Sequence, residues 1–226
     1  MTADSGSAGD RPRGEARAAL FEALRKAGAG IADIYADPDE PGRDARSMEP
    51  HLRPGDAVAW SVAGLAPAFG DLALYADSAR SGLLVVHRVV GGSLAGRGLL
   101  TKGDGRPEAD EAPVAAGALV GRVVAIRCRG DWFDVGRGGA RAYARLIAAL
   151  SSFAGGAFRA LAPLDRVFAP RRADGRPLWI ARRLAWWLQH AAIRIVKAAL
   201  FRVCHRRLDA GEVVASFGHA AATRGT

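Results

Sequence analysis

The sequence predicts a mainly β core with α-helical appendages on its N-terminal and C-terminal sides. Two observations carry that expectation. Between Ser47 and Ile126, short apolar runs alternate with Gly, Asp and Pro turns, and valine recurs within them, which is strand chemistry. On both sides of this block the apolar residues fall instead at helical spacing. Half of the 226 residues are apolar and 24% are charged, so a packed core can form and wholesale disorder is excluded.

Taken in order, residues 1–13 are a Gly/Ser/Asp/Arg-rich lead-in. Residues 14–35 set Ala19, Leu20, Leu24 and Ile31 among Glu15, Arg17, Arg25 and Lys26, the pattern of one short amphipathic helix. The stretch 37–46 is loop chemistry. The strand runs are 57–62, 71–76, 83–90, 98–101 and 119–126. After Gly130 the pattern turns helical: 141–169 is rich in Ala, Leu and Phe and interrupted at Gly155 and Gly156, and 170–177 is a basic linker. The expected organisation is 1–35 lead-in and helix, 36–127 compact β domain, 128–177 helical segment and linker, and 178–226 basic helix and tail.

The net charge of +9 belongs to the tail. From Arg171 onward there are eleven basic and three acidic residues, which leaves the preceding 170 residues at +1. Of the 32 basic residues only Lys26, Lys102 and Lys197 are lysine, so an arginine-rich composition explains much of the charge, and nucleic acid is not an expected partner. The tail's tryptophans, Trp179, Trp186 and Trp187, lie within an apolar helix and not in a base-stacking surface.

On a helical wheel, Arg182, Arg183, His190, Arg194 and Lys197 occupy an arc of about 120° within 178–203. Ile180, Leu184, Trp187, Leu188, Ala191, Ile195 and Ala198 lie opposite. Two readings stay open: a helix in a membrane interface, with Arg182, Arg183, Trp187, Arg194 and Lys197 at an anionic surface, or a helix packed on the protein's own core with its arginines in solvent.

No run of about 18 apolar residues occurs, so a transmembrane helix is not expected. The polar, acid-bearing N-terminus is wrong for a cleavable secretory signal, and two cysteines, Cys128 and Cys204, fit a reduced compartment. The expectation is a cytoplasmic protein, either attached peripherally to a membrane through 178–203 or free of it, and with no metal and no cofactor.

The chemistry concentrates in five short blocks. Ser47-Met48-Glu49-Pro50 leads through Arg53-Pro54-Gly55-Asp56 into a strand. Gly70-Asp71 opens the run Leu72 to Tyr75. Val85-Val86-His87-Arg88-Val89-Val90 alternates so that His87 shares a face with Val85 and Val89 while Arg88 lies opposite. Thr101-Lys102-Gly103-Asp104 is followed by Asp110, and Val120-Gly121-Arg122-Val123 closes the set.

In this order the blocks resemble the signal peptidase I superfamily, in the branch of archaea, some bacteria and the endoplasmic reticulum where His replaces the catalytic Lys. The resemblance covers residues 44–126, about a third of the chain. It implies a compact β peptidase fold in which Ser47 is the nucleophile, His87 the general base and Asp110 the carboxylate that orients it. It also implies that Ser47, Met48 and Pro50 shape the oxyanion and substrate-binding site. Asp104 is the nearer rival of Asp110 and reads otherwise as a turn residue. Lys102 is the rival base, but it stands in the TKGD block and not in the base block. Lys102 and Asp104 are therefore carried as supporting residues.

The sequence departs from the family at Ala45, where a small hydroxyl residue commonly helps bind the oxyanion; Arg46 lies between it and Ser47. The expected activity is a serine endopeptidase that cuts a precursor or leader peptide after small residues. The alternative is an inactive member that serves as a membrane-surface or partner-binding module. A self-cleaving repressor of related fold fits poorly, because it uses a lysine base.

Overall fold

The computed structural model describes residue 19 and residues 22–34, 47–63, 66–77, 83–106, 108–168 and 179–217. The expected lead-in, the 37–46 loop with Ala45 and Arg46, and the linker 170–177 lie outside them.

Eight antiparallel strands form one sheet: β1 (Ala29–Asp33), β2 (Ala57–Ser61), β3 (Leu72–Asp77), β4 (Leu83–Ser93), β5 (Gly98–Lys102), β6 (Leu119–Cys128), β7 (Asp131–Asp134) and β8 (Arg207–Leu208). Their order is β1-β2-β6-β3-β4-β5, with β7 paired to β6 and β8 paired to β7. Around the sheet stand the helices α1 (Gly138–Phe168), α2 (Trp179–Cys204) and α3 (Ala210–Phe217). Thus the mainly β core with helices around it is what the chain adopts.

Alternation along the central strands supplies both faces of the sheet. Val58 and Trp60 of β2, Leu72 and Leu74 of β3, Val86 of β4 and Val123 of β6 join Tyr143 and Ile147 of α1 and Ile193 and Phe201 of α2 in the principal core. On the opposite face Ala57, Ala59 and Ala125 meet Trp132 of β7 and Val213 of α3. Ala73, Tyr75, Val89, Leu99 and Val114 close a third cluster toward β5. Leu52, Val58, Trp60 and Ile147 are fully buried, and burying such a side chain contributes about 1.5–3 kcal/mol.

Several elements differ from expectation. The N-terminal helix stops early: residues 22–27 are helical, Gly28 takes a left-handed φ of 73°, and 29–33 then pair with β2. Ile31, expected on the helix, is therefore a strand residue opposite Ala59. Glycine at 28 allows the reversal that a side chain would resist. The sheet also continues past 127 through β7, and β8 adds two residues from the tail, so it takes strands from all four expected segments. Gly155 and Gly156 do not interrupt α1.

α2 packs on the protein's own core with Arg183 and Arg194 in solvent, as in the second wheel reading, but not through the apolar arc: His190, Ile193 and Phe201 are buried, whereas Leu184, Trp187, Leu188 and Ile195 are 46–68% exposed. Polar tethers to the body of the protein select the buried face, and most of the apolar side chains on the wheel look outward. No described helix is long and apolar enough to cross a membrane. Both cysteines are free.

Candidate active site

Ser47 opens a tight turn, in which the N–H groups of His51 and Leu52 donate to the Met48 carbonyl at 2.9 and 3.1 Å. The Glu49–Pro50 peptide is cis. Met48 and Leu52 are buried and anchor the turn to the principal core. The Lys102-Gly103-Asp104-Gly105 segment lies directly against it. A Cβ at Gly103 would stand 2.5 Å from the Ser47 carbonyl oxygen, so only glycine allows this approach. The Gly105 N–H donates to that same carbonyl at 2.6 Å. The glycines of the TKGD block thus set the position of the serine.

β4 brings His87 to the turn. Its Nε2 lies 3.0 Å from Ser47 Oγ, and its Nδ1 lies 2.7 Å from Asp110 Oδ2. With Nδ1–H donating to the carboxylate, Nε2 is left as the acceptor for the serine hydroxyl, which is the tautomer a general base needs. Asp110 is fixed in turn: its N–H donates to the Thr101 carbonyl at 2.8 Å. Its Oδ2 accepts from the hydroxyls of Thr101 at 2.6 Å and Tyr75 at 3.1 Å. Burial pushes the Asp110 carboxyl up, but hydrogen bonds from His87, Thr101 and Tyr75 outweigh it and hold the group below its ordinary value. Burial and the Asp110 charge raise Tyr75, which keeps it a neutral donor.

The strand registers explain why these side chains meet. Ala73 of β3 stands opposite His87, which places Tyr75, two residues on, on the same face. Thr101 of β5 stands opposite Val89, two residues from His87 on that face. Tyr75 and Thr101 were not singled out from the sequence as site residues. Their signal was there: both lie in the recognised blocks, and the period of two puts them on the His87 face.

Arg88 points to the other side of the sheet, where Asp104 receives it. Arg88 Nε donates to Asp104 Oδ1 at 2.7 Å and Nη2 to Oδ2 at 2.6 Å, a bidentate pair with both side chains buried. Its Nη1 donates to the Gly70 carbonyl at 2.8 Å. His51, the last residue of the Ser47 turn, completes the cluster, with Nδ1 2.9 Å from Asp104 Oδ2 and Nε2 2.6 Å from the Tyr143 hydroxyl. Although buried, Asp104 is held well below the carboxylate range by Arg88 and His51. Burial lowers His51 to about 4 in spite of Asp104, so the imidazole is neutral near pH 7.

The remaining expected residues separate in the same way. Lys102 donates from Nζ to the Ser151 carbonyl and, at 3.2 Å, to Gln189 Oε1, so it ties the block to α1 and α2. Gln189 Nε2 donates to the Asp104 carbonyl at 2.7 Å. Met48 and Pro50 are buried and shape the turn from within. Among the residues expected at a membrane surface, Arg183, Trp187 and Arg194 are exposed, and the Arg182 side chain lies outside what the structure describes. Lys197 turns inward, donating to the carbonyls of Pro50 at 2.5 Å and His51 at 3.3 Å. This corrects its place on an outward basic stripe: desolvation of the ammonium is offset by two carbonyls that no side chain of the turn satisfies. Sequence spacing gave no sign of the partnership of His51, Tyr143 and Gln189, which lie on three separate elements.

Chemically, Ser47, His87 and Asp110 form a continuous chain from hydroxyl to carboxylate that can move a proton from the nucleophile and return it to a leaving group. Among the described residues no group of His, Cys, Asp or Glu side chains could hold a metal ion. Comparison with protein-family models, with curated proteins and with solved structures returned no match to the chain.

Proposed function

We propose that the protein is a serine endopeptidase of signal-peptidase type, with Ser47 as nucleophile, His87 as general base and Asp110 as the residue that orients the imidazole. One observation carries the reading: the 3.0 Å and 2.7 Å contacts that place both nitrogens of a buried histidine between a hydroxyl and a carboxylate. Attack of Ser47 Oγ on a peptide carbonyl transfers its proton to Nε2. The imidazolium that forms is stabilised by Asp110 and then protonates the departing amine, leaving an acyl-enzyme that water hydrolyses. The substrate is a precursor or leader peptide, bound extended and cut after small side chains, as the five-block resemblance implies.

The exposed apolar face of α2 supports attachment to a membrane surface, where such precursors would be met. Leu184, Trp187, Leu188 and Ile195 would enter the interface, with Arg183 and Arg194 at anionic headgroups.

The test is mass spectrometry of purified protein, parent and Ser47→Ala, incubated with peptides containing Ala-X-Ala segments in the presence of detergent micelles. Cleavage after small residues by the parent alone is the expected result. A folded parent that cuts nothing would overturn the peptidase reading and leave the binding-module alternative.

A further inference from the structure

On the far side of the Ser47 turn lies a second concavity, with a volume of about 590 Å³, bounded by that turn, by the β6–β7 hairpin and by α2. That is ample for a small ligand. Arg53 comes from the segment that follows the turn, Arg129 from the hairpin, and Arg194, Lys197 and Arg202 from three positions of α2. We propose that this cleft is a binding site for a phosphate ester, with the phosphate held by the cations and the organic part laid against Phe133 and Phe201.

Charge selects an anion. Two acids, Asp56 and Asp131, share the lining with five cations, which leaves the cleft net positive. Asp56 accepts the backbone N–H groups of Arg53 at 2.9 Å and Arg129 at 3.3 Å, so it positions these two residues while their guanidiniums stay unpaired by it, and Asp131 pairs with Arg207. The four arginines are exposed at the rim, and none of them forms an ion pair among the described residues. Lys197 is half-buried at the base. Two of its three donors are spent on the carbonyls of Pro50 and His51, which aims the ammonium and leaves one proton for a guest.

Multiplicity selects phosphate. A single guanidinium fork satisfies a carboxylate, whereas four arginines and a lysine lining one cleft from three elements suit a group with three or more charged oxygens. The floor supplies the rest: Phe133 and Phe201 meet edge to face with centroids 5.0 Å apart.

Arg129 adds a separate sign. It adopts a φ of 55° at the tip of the hairpin and is the only non-glycine residue with positive φ among those described. Asn or Gly fills such a position at less strain, so an arginine there points to a role for its side chain. Cys128 also lines the cleft, but its thiol is pushed up to about 11 by burial and donates to the His51 carbonyl, so covalent chemistry is not what the cleft offers.

The proposal stands whether or not Ser47 cleaves peptides, and its test reads binding alone. Isothermal calorimetry with inorganic pyrophosphate is run beside flotation on phosphatidylcholine vesicles with and without phosphatidic acid. The two arms distinguish a soluble phosphate from a lipid headgroup. The variants are Arg129→Gly with Arg194→Gln and, as an independent pair, Arg53→Gln with Arg202→Gln. Glycine suits the φ at 129, so the first variant should unfold no earlier than the parent. Saturable binding of pyrophosphate, or phosphatidic-acid-dependent flotation that pyrophosphate competes away, weakened at least about tenfold in either folded variant, is the expected result. No binding of either probe by the parent, or binding by both folded variants as tight as the parent's, overturns the site.

Discussion

His87 and Arg88 are neighbours on one strand, yet they stand in two opposite chemistries. On the His87 face the groups form a directed chain that ends at a half-buried hydroxyl: Asp110 is braced by Thr101 and Tyr75, and the imidazole reaches Ser47. On the Arg88 face the groups close inward in full burial: Arg88 grips Asp104 with two bonds, His51 bonds the Tyr143 hydroxyl, and the other ring nitrogen of His51 lies beside the same carboxylate without an aligned hydrogen bond. Both networks hold the same segment. Asp110 and Asp104 flank the end of one glycine-rich loop, and Ser47 and His51 are the first and last residues of one turn. The open chain can exchange a proton with a substrate, whereas the closed one can only fix geometry. The comparison teaches that the two aspartates of the TKGD region are not interchangeable rivals but parts of separate machines.

The contrast can be broken most completely at Ser47. Ser47→Ala should abolish cleavage and all labelling by a fluorophosphonate probe, with an unchanged circular dichroism spectrum. His87→Ala should follow with a loss of about a thousandfold or more in kcat and little change in KM. A variant of either kind that kept a near-normal rate would refute the assignment.

The two aspartates give the sharpest test. Asp110→Asn should cut kcat by about 10²–10⁴-fold while moving the urea midpoint little, because it leaves the imidazole in the wrong tautomer. Asp104→Asn strands a buried guanidinium, and a broken buried pair costs about 3–5 kcal/mol, seen in the denaturation midpoint first. If Asp104→Asn left stability unchanged, the closed network would not be the scaffold described above.

Acid should act on the closed network through His51. His51 binds its proton near pH 4 when folded but near 6.5 when unfolded, so the unfolded chain takes up the proton first. The contribution of His51 to stability is therefore full above about pH 6.5 and falls toward pH 4, by something on the order of 1–3 kcal/mol. His51→Gln should flatten that slope in denaturation measured across the same window. The smallest effect belongs to α2: Trp187→Glu with Ile195→Glu should shift stability by no more than about 0.5 kcal/mol per site, since both side chains are exposed, yet should reduce vesicle binding. Vesicle binding untouched by that pair would leave the apolar face without a membrane role.

What the sequence determined by itself was whatever depends on local period and on turn chemistry. The runs 57–62, 71–76, 83–90, 98–101 and 119–126 are the strands β2 to β6 to within a few residues at either end, because alternation and glycine punctuation act over single elements. The same period separated His87 from Arg88, and the ordered blocks singled out Ser47, His87 and Asp110, which the fold brings into one hydrogen-bonded chain. Tertiary structure decided the rest. Residues 29–33 became a strand because β2 offered an unpaired edge, a free-energy gain that no helical period encodes. The buried face of α2 was chosen by partners far away in the chain: Lys197 satisfies the carbonyls of Pro50 and His51, and Gln189 the carbonyl of Asp104. A buried polar group must find its partner wherever the fold places one. Such pairings follow from three-dimensional adjacency, and a helical wheel, which knows only the helix itself, could not anticipate that the apolar side would be left facing out.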